Sequence, residues 1–492
     1  MSGNVECYQK ITNEEERLYF KDLLKDILKY TPSKFCGLVG NAISIPIYTS
    51  LLSKTQYGTY MLSIAFLSFL CIIFSDWVGL SGLRFFKHHE INQDASKYFT
   101  TLISLLLINL SIMFLLTPIY ICIPQVQAFF KIPVKLILFV LILIIPVAFR
   151  ALFFQILRAQ IKPLNYTVST IINQFLSIGI SYILMKYFHL GAYSILLGMC
   201  ISIIFIDFVL LCQIDIKKYF VWTKPKFNIL KTLVFYGVPI SVTSLSLWII
   251  NQSNRFIMHG LHGADQVGLV GVAYNATFSI LMTTFVVITF ASIPRIYSLY
   301  EQNKDVRPLI SKLTYLLALF SLPVIVLYSL HAQEVVMFLS NAKFKGAEVL
   351  VPYLSFSVFF IVMTDFTTLQ YHLSKKTYLD TIIRVISAIT GLVLNVIFIK
   401  KWGLVGLGIA TLIGNIVYFL LSTIVVVPNH GWQVPYKKFA QILFSFVPAS
   451  AMYVYLLKDL KLNLVFESLI LLFVYYLTYF VITKITDKRV SA

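Results

Sequence analysis

VKLILFVLILIIPVAFRALFFQIL, residues 134–157, runs twenty-four residues with only two charges, Lys135 and Arg150. A helix needs about 20 apolar residues to cross the hydrocarbon core of a bilayer. The stretch therefore reads as a membrane span, and Pro146 does not exclude it, because neighbouring helices can satisfy the backbone group that a proline frees. Reading outward at the same scale gives spans at 33–52, 61–80, 100–123, 134–157, 166–186, 190–214, 232–252, 267–294, 308–330, 348–371, 379–399, 404–427, 438–457 and 462–483. Little is left between them for a soluble domain. The chain is 58% hydrophobic and 12% charged, about half the charge of a soluble domain. The expected fold is an all-α polytopic membrane protein of about fourteen helices.

The net charge of +19 would point to nucleic acid in a soluble protein. Here the basic residues sit in loops, where they set orientation. With the N-terminus in the cytoplasm, the loops and helix edges on that side hold 27 of the 40 Lys and Arg residues, and the opposite side holds 11. Both termini are therefore expected in the cytoplasm. No nucleic-acid partner is expected. The opening MSGNVECYQKITNEEERLYFKDLLKD lacks the basic and apolar regions of a cleaved signal peptide. Cys7, Cys36, Cys71, Cys122, Cys200 and Cys212 show no metal spacing and read as small core residues.

A weak repeat organises the spans. Pro32 and Pro239 open the first and seventh; Gly58 and Gly268 lead into the second and eighth; Gly191 and Gly406 precede the sixth and twelfth. Their offsets are 207, 210 and 215 residues. Six spans per unit is an even number, so both copies share one orientation and their pseudo-twofold axis runs along the membrane normal. The expected organisation is a cytoplasmic N-terminal segment (1–30), an N-lobe of six helices (31–221), a pseudo-symmetric C-lobe of six (222–427), and two C-terminal helices with a tail (428–492). Pro32, Gly37, Gly40 and Pro46 in the first span and Gly237 and Pro239 in the seventh suit bent helices lining a path.

Charges within spans ask for a reason, since one at a helix centre costs about 2.5–3.5 kcal/mol on insertion scales. Asp76, Arg84, Arg150, Asp207, Asp365 and Arg384 project to the cytoplasmic half, and Arg255 and Glu467 toward the far side. The chain holds 31 Lys against 9 Arg, yet the two basic residues deep in spans, Arg150 and Arg384, are arginines. Arginine stays charged in a low dielectric and matches phosphate oxygens with a planar fork. That pattern points to an anionic, phosphate-bearing cargo, with structural ion pairing as the alternative for each residue. Glu467 reads as local packing. Among the buried amides, Asn251 and Asn254 stand with Gln252 and Arg255 in a polar patch suited to sugar hydroxyls. No Walker loop, HExxH or Cys/His cluster is present, so neither direct ATP drive nor a metal or other cofactor is expected.

LLKDILKYTPSKFCGLVGNAISIPIYTSLLSKTQYGTYMLSIAFLSFL (23–70), YGVPISVTSLSLWIINQSNRFIM (236–258), HLSKKT (372–377) and KKWGLVGLGIATLIGN (400–415) resemble, in order and spacing, the bacterial O-antigen and polysaccharide-repeat flippases. These belong to the multidrug/oligosaccharidyl-lipid/polysaccharide exporter superfamily. The resemblance covers roughly residues 22–427; where the family often has Asp-Arg, this chain has Asn254-Arg255.

The resemblance implies a V-shaped pair of six-helix bundles in the bacterial inner membrane, alternating between inward- and outward-open forms. Its cargo would be an oligosaccharide repeat on a polyprenyl diphosphate, of the O-antigen, lipopolysaccharide or capsule type, with membrane lipids around it and polysaccharide polymerase or assembly proteins as partners. On that reading Arg150, Arg384 and Arg84 meet the diphosphate, and Asn251, Asn254 and Arg255 meet sugar. Asp76, Asp207 or Asp365 carries a coupling ion or proton. A cation-coupled drug antiporter of the same superfamily is the alternative. An enzyme is not expected, because the longest outer loop, about 331–347, offers one Glu and one His.

Overall fold

Helices account for the architecture, and most of their outer faces are apolar. A computed structural model describes residues 36–91, 94–122, 133–160, 162–214, 224–428, 430, 436–453 and 464–491. Among these, eleven helical stretches are long and apolar enough to cross a membrane. Leu115 (77% exposed), Phe235 (72%) and Ile142 (61%) face outward, which water would penalise and lipid does not. The molecule is a multi-pass α-helical membrane protein. The N-terminal segment, Cys7, Tyr30, Thr31 and Pro32 lie outside the described residues.

In chain order the helices are α1 (Cys36–Leu51), α2 (Lys54–Cys71, continuing as Trp77–Ile91), α3 (Ala95–Cys122), α4 (Val134–Ala159), α5 (Pro163–Phe188), α6 (Ala192–Gln213) and α7 (Phe227–His262). Then follow α8 (Ala264–Ala273, continuing as Ile280–Glu301), α9 (Arg307–Leu330) and α10 (Val351–Thr367). The stretch Thr377–Ile424 holds α11 and α12, and α13 (Tyr436–Met452) and α14 (Leu464–Ser491) close the chain. Ser53 caps α2: its hydroxyl accepts the Gln56 N–H at 3.2 Å, and the Gln56 side chain accepts the Ser53 N–H at 3.0 Å, a reciprocal capping box. Helix α7 is 36 residues long, well beyond the expected 232–252, and Pro239 lies inside it without breaking it.

One pairing of the expected repeat is corrected by conformation. Gly191 before α6 has φ 60 and ψ −131. Its conformational counterpart is Gly403, at φ 55 and ψ −124 between α11 and α12, not Gly406. The offset is then 212 (403 minus 191), closer to that of Gly58 and Gly268. Gly406 is needed for a different reason: a Cβ there would lie 2.0 Å from the Phe398 carbonyl oxygen.

A second correspondence was not legible in the sequence. Both α2 and α8 carry a π-helical turn, Ile72–Asp76 and Tyr274–Ser279. Such a turn inserts an extra residue and frees carbonyls from the helical ladder. Ser241 of α7 donates to the Ile72 carbonyl at 2.9 Å, and Tyr328 of α9 donates to the Ala276 carbonyl.

Two seams hold the helices of the expected lobes together. Along α2 and α7, Trp248 Nε1 donates to the Ala65 carbonyl at 3.1 Å and to Ser68 Oγ at 3.0 Å, and Ser81 donates to the Leu233 carbonyl at 3.2 Å. Gly237 belongs to this seam, since a Cβ on it would stand 2.2 Å from the Trp77 ring. At the N-terminal ends of α2 and α8, Gly58 and Gly268 let the two backbones touch, and Thr55 donates a hydrogen bond to Asp265. The segment after α9 closes over the same end: Lys343 Nζ donates to the Ser50 carbonyl at 3.2 Å, and Phe344 packs edge-on against Tyr57.

Of the cysteines, Cys71 is buried as expected of a core residue, but Cys212 is exposed. It sits on an outward face of α6, where a small apolar side chain meets lipid as readily as core.

Candidate functional site

Three polar groups lie between the helices. The first is built on α2, α4 and α6. Arg150 of α4 stands within electrostatic reach of Asp207 on α6 and Asp76 at the end of the α2 π turn. Among the described residues neither carboxylate comes within 4.0 Å of it. Asp76 is partnered by Ser75, whose hydroxyl donates at 3.3 Å. Asp207 Oδ1 is buried without a hydrogen-bond partner. A cation between two acids, touching neither, leaves its fork of donors open to a ligand.

The second group joins α8, α10, α11 and α12. Arg384 Nε donates to both Asp380 oxygens, at 3.0 and 3.1 Å, from one turn further along α11. Its guanidinium carbon lies 4.9 Å from the centre of the Tyr418 ring, and the Tyr418 hydroxyl donates to Asp380 Oδ1 at 2.9 Å. His372 Nε2 is 3.6 Å from Asp380 Oδ2. Asp365 accepts from Thr289 at 3.3 Å and feels the charge of Arg384. Asp380 and Tyr418 were absent from the sequence reading. The four-residue spacing of Asp380 and Arg384 was the available signal.

The third group sits beside the Gly58–Gly268 contact. Asn254 is fully buried, and its amide nitrogen donates to Tyr274 at 2.7 Å and Thr411 at 3.1 Å. Arg255 lies with its guanidinium carbon 5.2 Å from the centre of the Tyr274 ring. Asn251 donates to the Leu247 carbonyl at 3.1 Å. Asn275 of α8 donates to the Tyr57 hydroxyl at 2.9 Å.

The expected residues are thus not gathered in one cluster. Arg150, Asp76 and Asp207 come together; Arg384 and Asp365 form a separate group in the other half of the chain. Arg84 is exposed on the late part of α2, and Glu467 is half-buried on α14. From Tyr57, beside the third group, to Asp76 in the first is 19 residues of α2 (76 minus 57). At about 1.5 Å per residue the two groups are roughly 28 Å apart along the helix axis.

Residues 47–349 match the family described as polysaccharide biosynthesis protein. The chain belongs to that family. This family member shares its fold with a solved structure described as the lipid II flippase MurJ in an inward closed conformation. The identity is 17%, 94% of this chain and 98% of that one are covered, and the TM-score is 0.73. A multidrug resistance MATE family transporter of the MOP superfamily, inward-facing, gives 14% identity, 78% and 93% coverage and a TM-score of 0.56. A MOP superfamily transporter from Pyrococcus furiosus, described by a binding pocket of reverse polarity, gives 16%, 81% and 95%, and 0.50. At these identities the likeness is one of fold. No curated protein matches the chain.

Proposed function

We propose that this protein is a flippase rather than an enzyme. It carries a polyprenyl-diphosphate-linked oligosaccharide repeat from the cytoplasmic to the outer leaflet of the bacterial inner membrane, with fourteen spans and both termini in the cytoplasm. Membership of a polysaccharide biosynthesis family and a fold shared with a lipid II flippase support the reading. The observation that carries it is Arg150, a charge inside a span with two acids nearby and, among the described residues, no carboxylate within 4.0 Å.

On this proposal Arg150 takes the diphosphate as a bidentate fork. Arg84 assists from the cytoplasmic edge. Arg384, already paired with Asp380, contributes field more than direct bonds. Asn251, Asn254 and Arg255 meet sugar near the outer side. The six-helix lobes, 31–221 and 222–427, rock about the α2–α7 seam, and opening toward the outside separates Gly58 from Gly268. The tail has an apolar place to lie in the open groove lined by Lys437, Phe444, Val447, Pro448 and Ile482 of α13 and α14.

Asp76, Asp207 and Asp365 are the candidate carriers of a coupling proton. They are also what favours the second reading, a cation-coupled drug antiporter, which the MATE-like fold accommodates.

Deletion of the gene followed by leaflet-resolved extraction of lipid-linked intermediates separates the two. A complete repeat accumulating on the cytoplasmic side supports the flippase. An unchanged distribution, in cells with no redundant flippase, supports the exporter.

A further inference from the structure

Among the described residues, Arg255 is a cation enclosed without a counter-ion. The residue is 5% exposed, and it lies within electrostatic reach of Tyr57 and Tyr60 on α2 as well as Tyr274 on α8. Among the described residues no carboxylate lies within 4.0 Å of it, and its Nε is buried with no hydrogen-bond partner. Tyrosine faces attract a cation, but they do not neutralise it. An unpaired buried charge is costly enough to ask for a partner that arrives from elsewhere.

The neighbouring groups say what kind of partner. The side-chain oxygens of Asn251, Gln252 and Asn254 are all buried and without a hydrogen-bond partner. In two of these amides the nitrogen is already used, Asn251 on the Leu247 carbonyl and Asn254 on Tyr274 and Thr411. What remains is one guanidinium on the same stretch of α7 as three acceptor oxygens, with Asn251 one turn before Arg255 and Asn254 sharing Tyr274 with it. A bare oxyanion such as a phosphate suits the guanidinium but is repelled by the amide oxygens. A neutral sugar suits the amide oxygens and leaves the charge unanswered. A sugar acid answers both, with its carboxylate on the guanidinium fork and its hydroxyls donating to the amides.

We propose that Arg255, Asn251 and Asn254 form a subsite for the carboxylate and adjoining hydroxyls of an acidic sugar, so that the cargo is an anionic oligosaccharide. The proposal rests on the flippase reading and specifies its cargo.

The test isolates the lipid-linked oligosaccharide that accumulates in cells lacking the gene. Its transport by the full-length protein in liposomes is then compared before and after chemical reduction of its carboxyl groups to alcohols. The expected result is a carboxylate in the isolated material and flipping of the native form at least about tenfold faster than the reduced form, a factor worth roughly 1.4 kcal/mol. Arg255→Gln brings that ratio to about one. Asn254→Asp, which places an internal carboxylate beside the guanidinium, lowers it as well.

A neutral accumulated repeat, or equal flipping of both forms, overturns the acidic-sugar subsite while leaving the flippase standing. Absence of any lipid-linked repeat overturns both. A ratio that persists in Arg255→Gln and Asn254→Asp overturns the assignment to these residues. If Arg255→Gln does not reconstitute, the wild-type ratio and Asn254→Asp decide.

Discussion

Gly58 and Gly268, 210 residues apart (268 minus 58), meet each other's helix in a reciprocal way. A Cβ on Gly58 would lie 1.9 Å from the Ala264 carbonyl oxygen, and one on Gly268 would lie 2.4 Å from the Lys54 carbonyl oxygen. Lys54 and Ala264 are separated by the same 210 residues (264 minus 54). Thr55 and Asp265, hydrogen-bonded to each other, are again 210 apart (265 minus 55). A contact of residue i on j that is repeated as j on i is what a twofold axis between two copies produces. The repeat detected as scattered glycines and prolines is thereby anchored in space, and its axis passes between the N-terminal ends of α2 and α8.

This contact is the closed end of the proposed path, which makes it a place to stop transport. In a background with the native cysteines replaced, Thr55→Cys with Asp265→Cys, joined by a short bis-methanethiosulfonate cross-linker that forms a disulfide with each thiol, is expected to abolish flipping. Reduction of a cleavable linker restores it. Transport that continues through the cross-linked protein would show that this end does not open.

The same geometry predicts the effect of bulk. Gly58→Leu and Gly268→Leu force the two backbones apart, and overpacking of this kind costs about 1–3 kcal/mol. Both variants are expected to unfold at lower temperature in detergent. They should also expose a cysteine placed at Thr55 to a membrane-impermeant thiol reagent more than the parent does. Gly260→Leu, with nothing within 4 Å of its would-be Cβ, is the control.

Arg150 and Arg384 should separate by phenotype. Among the described residues Arg150 has no ion-pair contact, so Arg150→Ala is expected to lower flipping by about 10- to 150-fold, as loss of a charge-assisted contact of about 1.5–3 kcal/mol would, with little change in melting temperature. Arg384→Ala leaves Asp380, which is 3% exposed, with the Tyr418 hydroxyl and His372 but without its arginine, and losing one partner of a buried pair costs about 3–5 kcal/mol. It should therefore melt early. The double variant Arg384→Met with Asp380→Asn should recover part of that loss, and additive losses in the cycle would argue against the pairing.

Gly191 and Gly403 offer a paired test of backbone strain. Gly191 has φ 60 and ψ −131 and Gly403 has φ 55 and ψ −124, near the mirror image of the extended region, which glycine adopts freely and which costs a residue with a Cβ about 1–3 kcal/mol. Gly403→Ala has open space around it, whereas Gly191→Ala meets the Gln56 side chain at 2.8 Å. Gly403→Ala is expected to lose about that backbone cost, and Gly191→Ala more, in thermal unfolding measured side by side.

The membrane spans were legible because lipid demands long apolar runs, and those runs are the dominant signal in this chain. The repeat was legible because glycines at close backbone approaches tolerate no substitute. Its third anchor was misplaced by three residues: Gly406 was matched to Gly191 through the nearby Lys401, while the kink between α11 and α12 is at Gly403. The partners of the charges were less visible. Asp380 stands at the edge of the expected 379–399 span, and only the structure shows it paired with Arg384, one turn away. Tyr418, Tyr274 and Thr411 are uncharged residues on helices remote in sequence, and only packing brings them to Asp380 and Asn254. The π turns of α2 and α8 depend on bonds from Ser241 and Tyr328, which local sequence does not announce.

The most direct test of the flippase is transport of a fluorescent polyprenyl-diphosphate oligosaccharide in liposomes containing only the purified protein. It is read as the fraction of inner-leaflet probe that becomes accessible to an added glycosidase over time. The account predicts rapid accessibility that requires the protein, slows with Arg150→Ala, and stops when Thr55→Cys and Asp265→Cys are cross-linked. Accessibility no faster than in protein-free liposomes would contradict it.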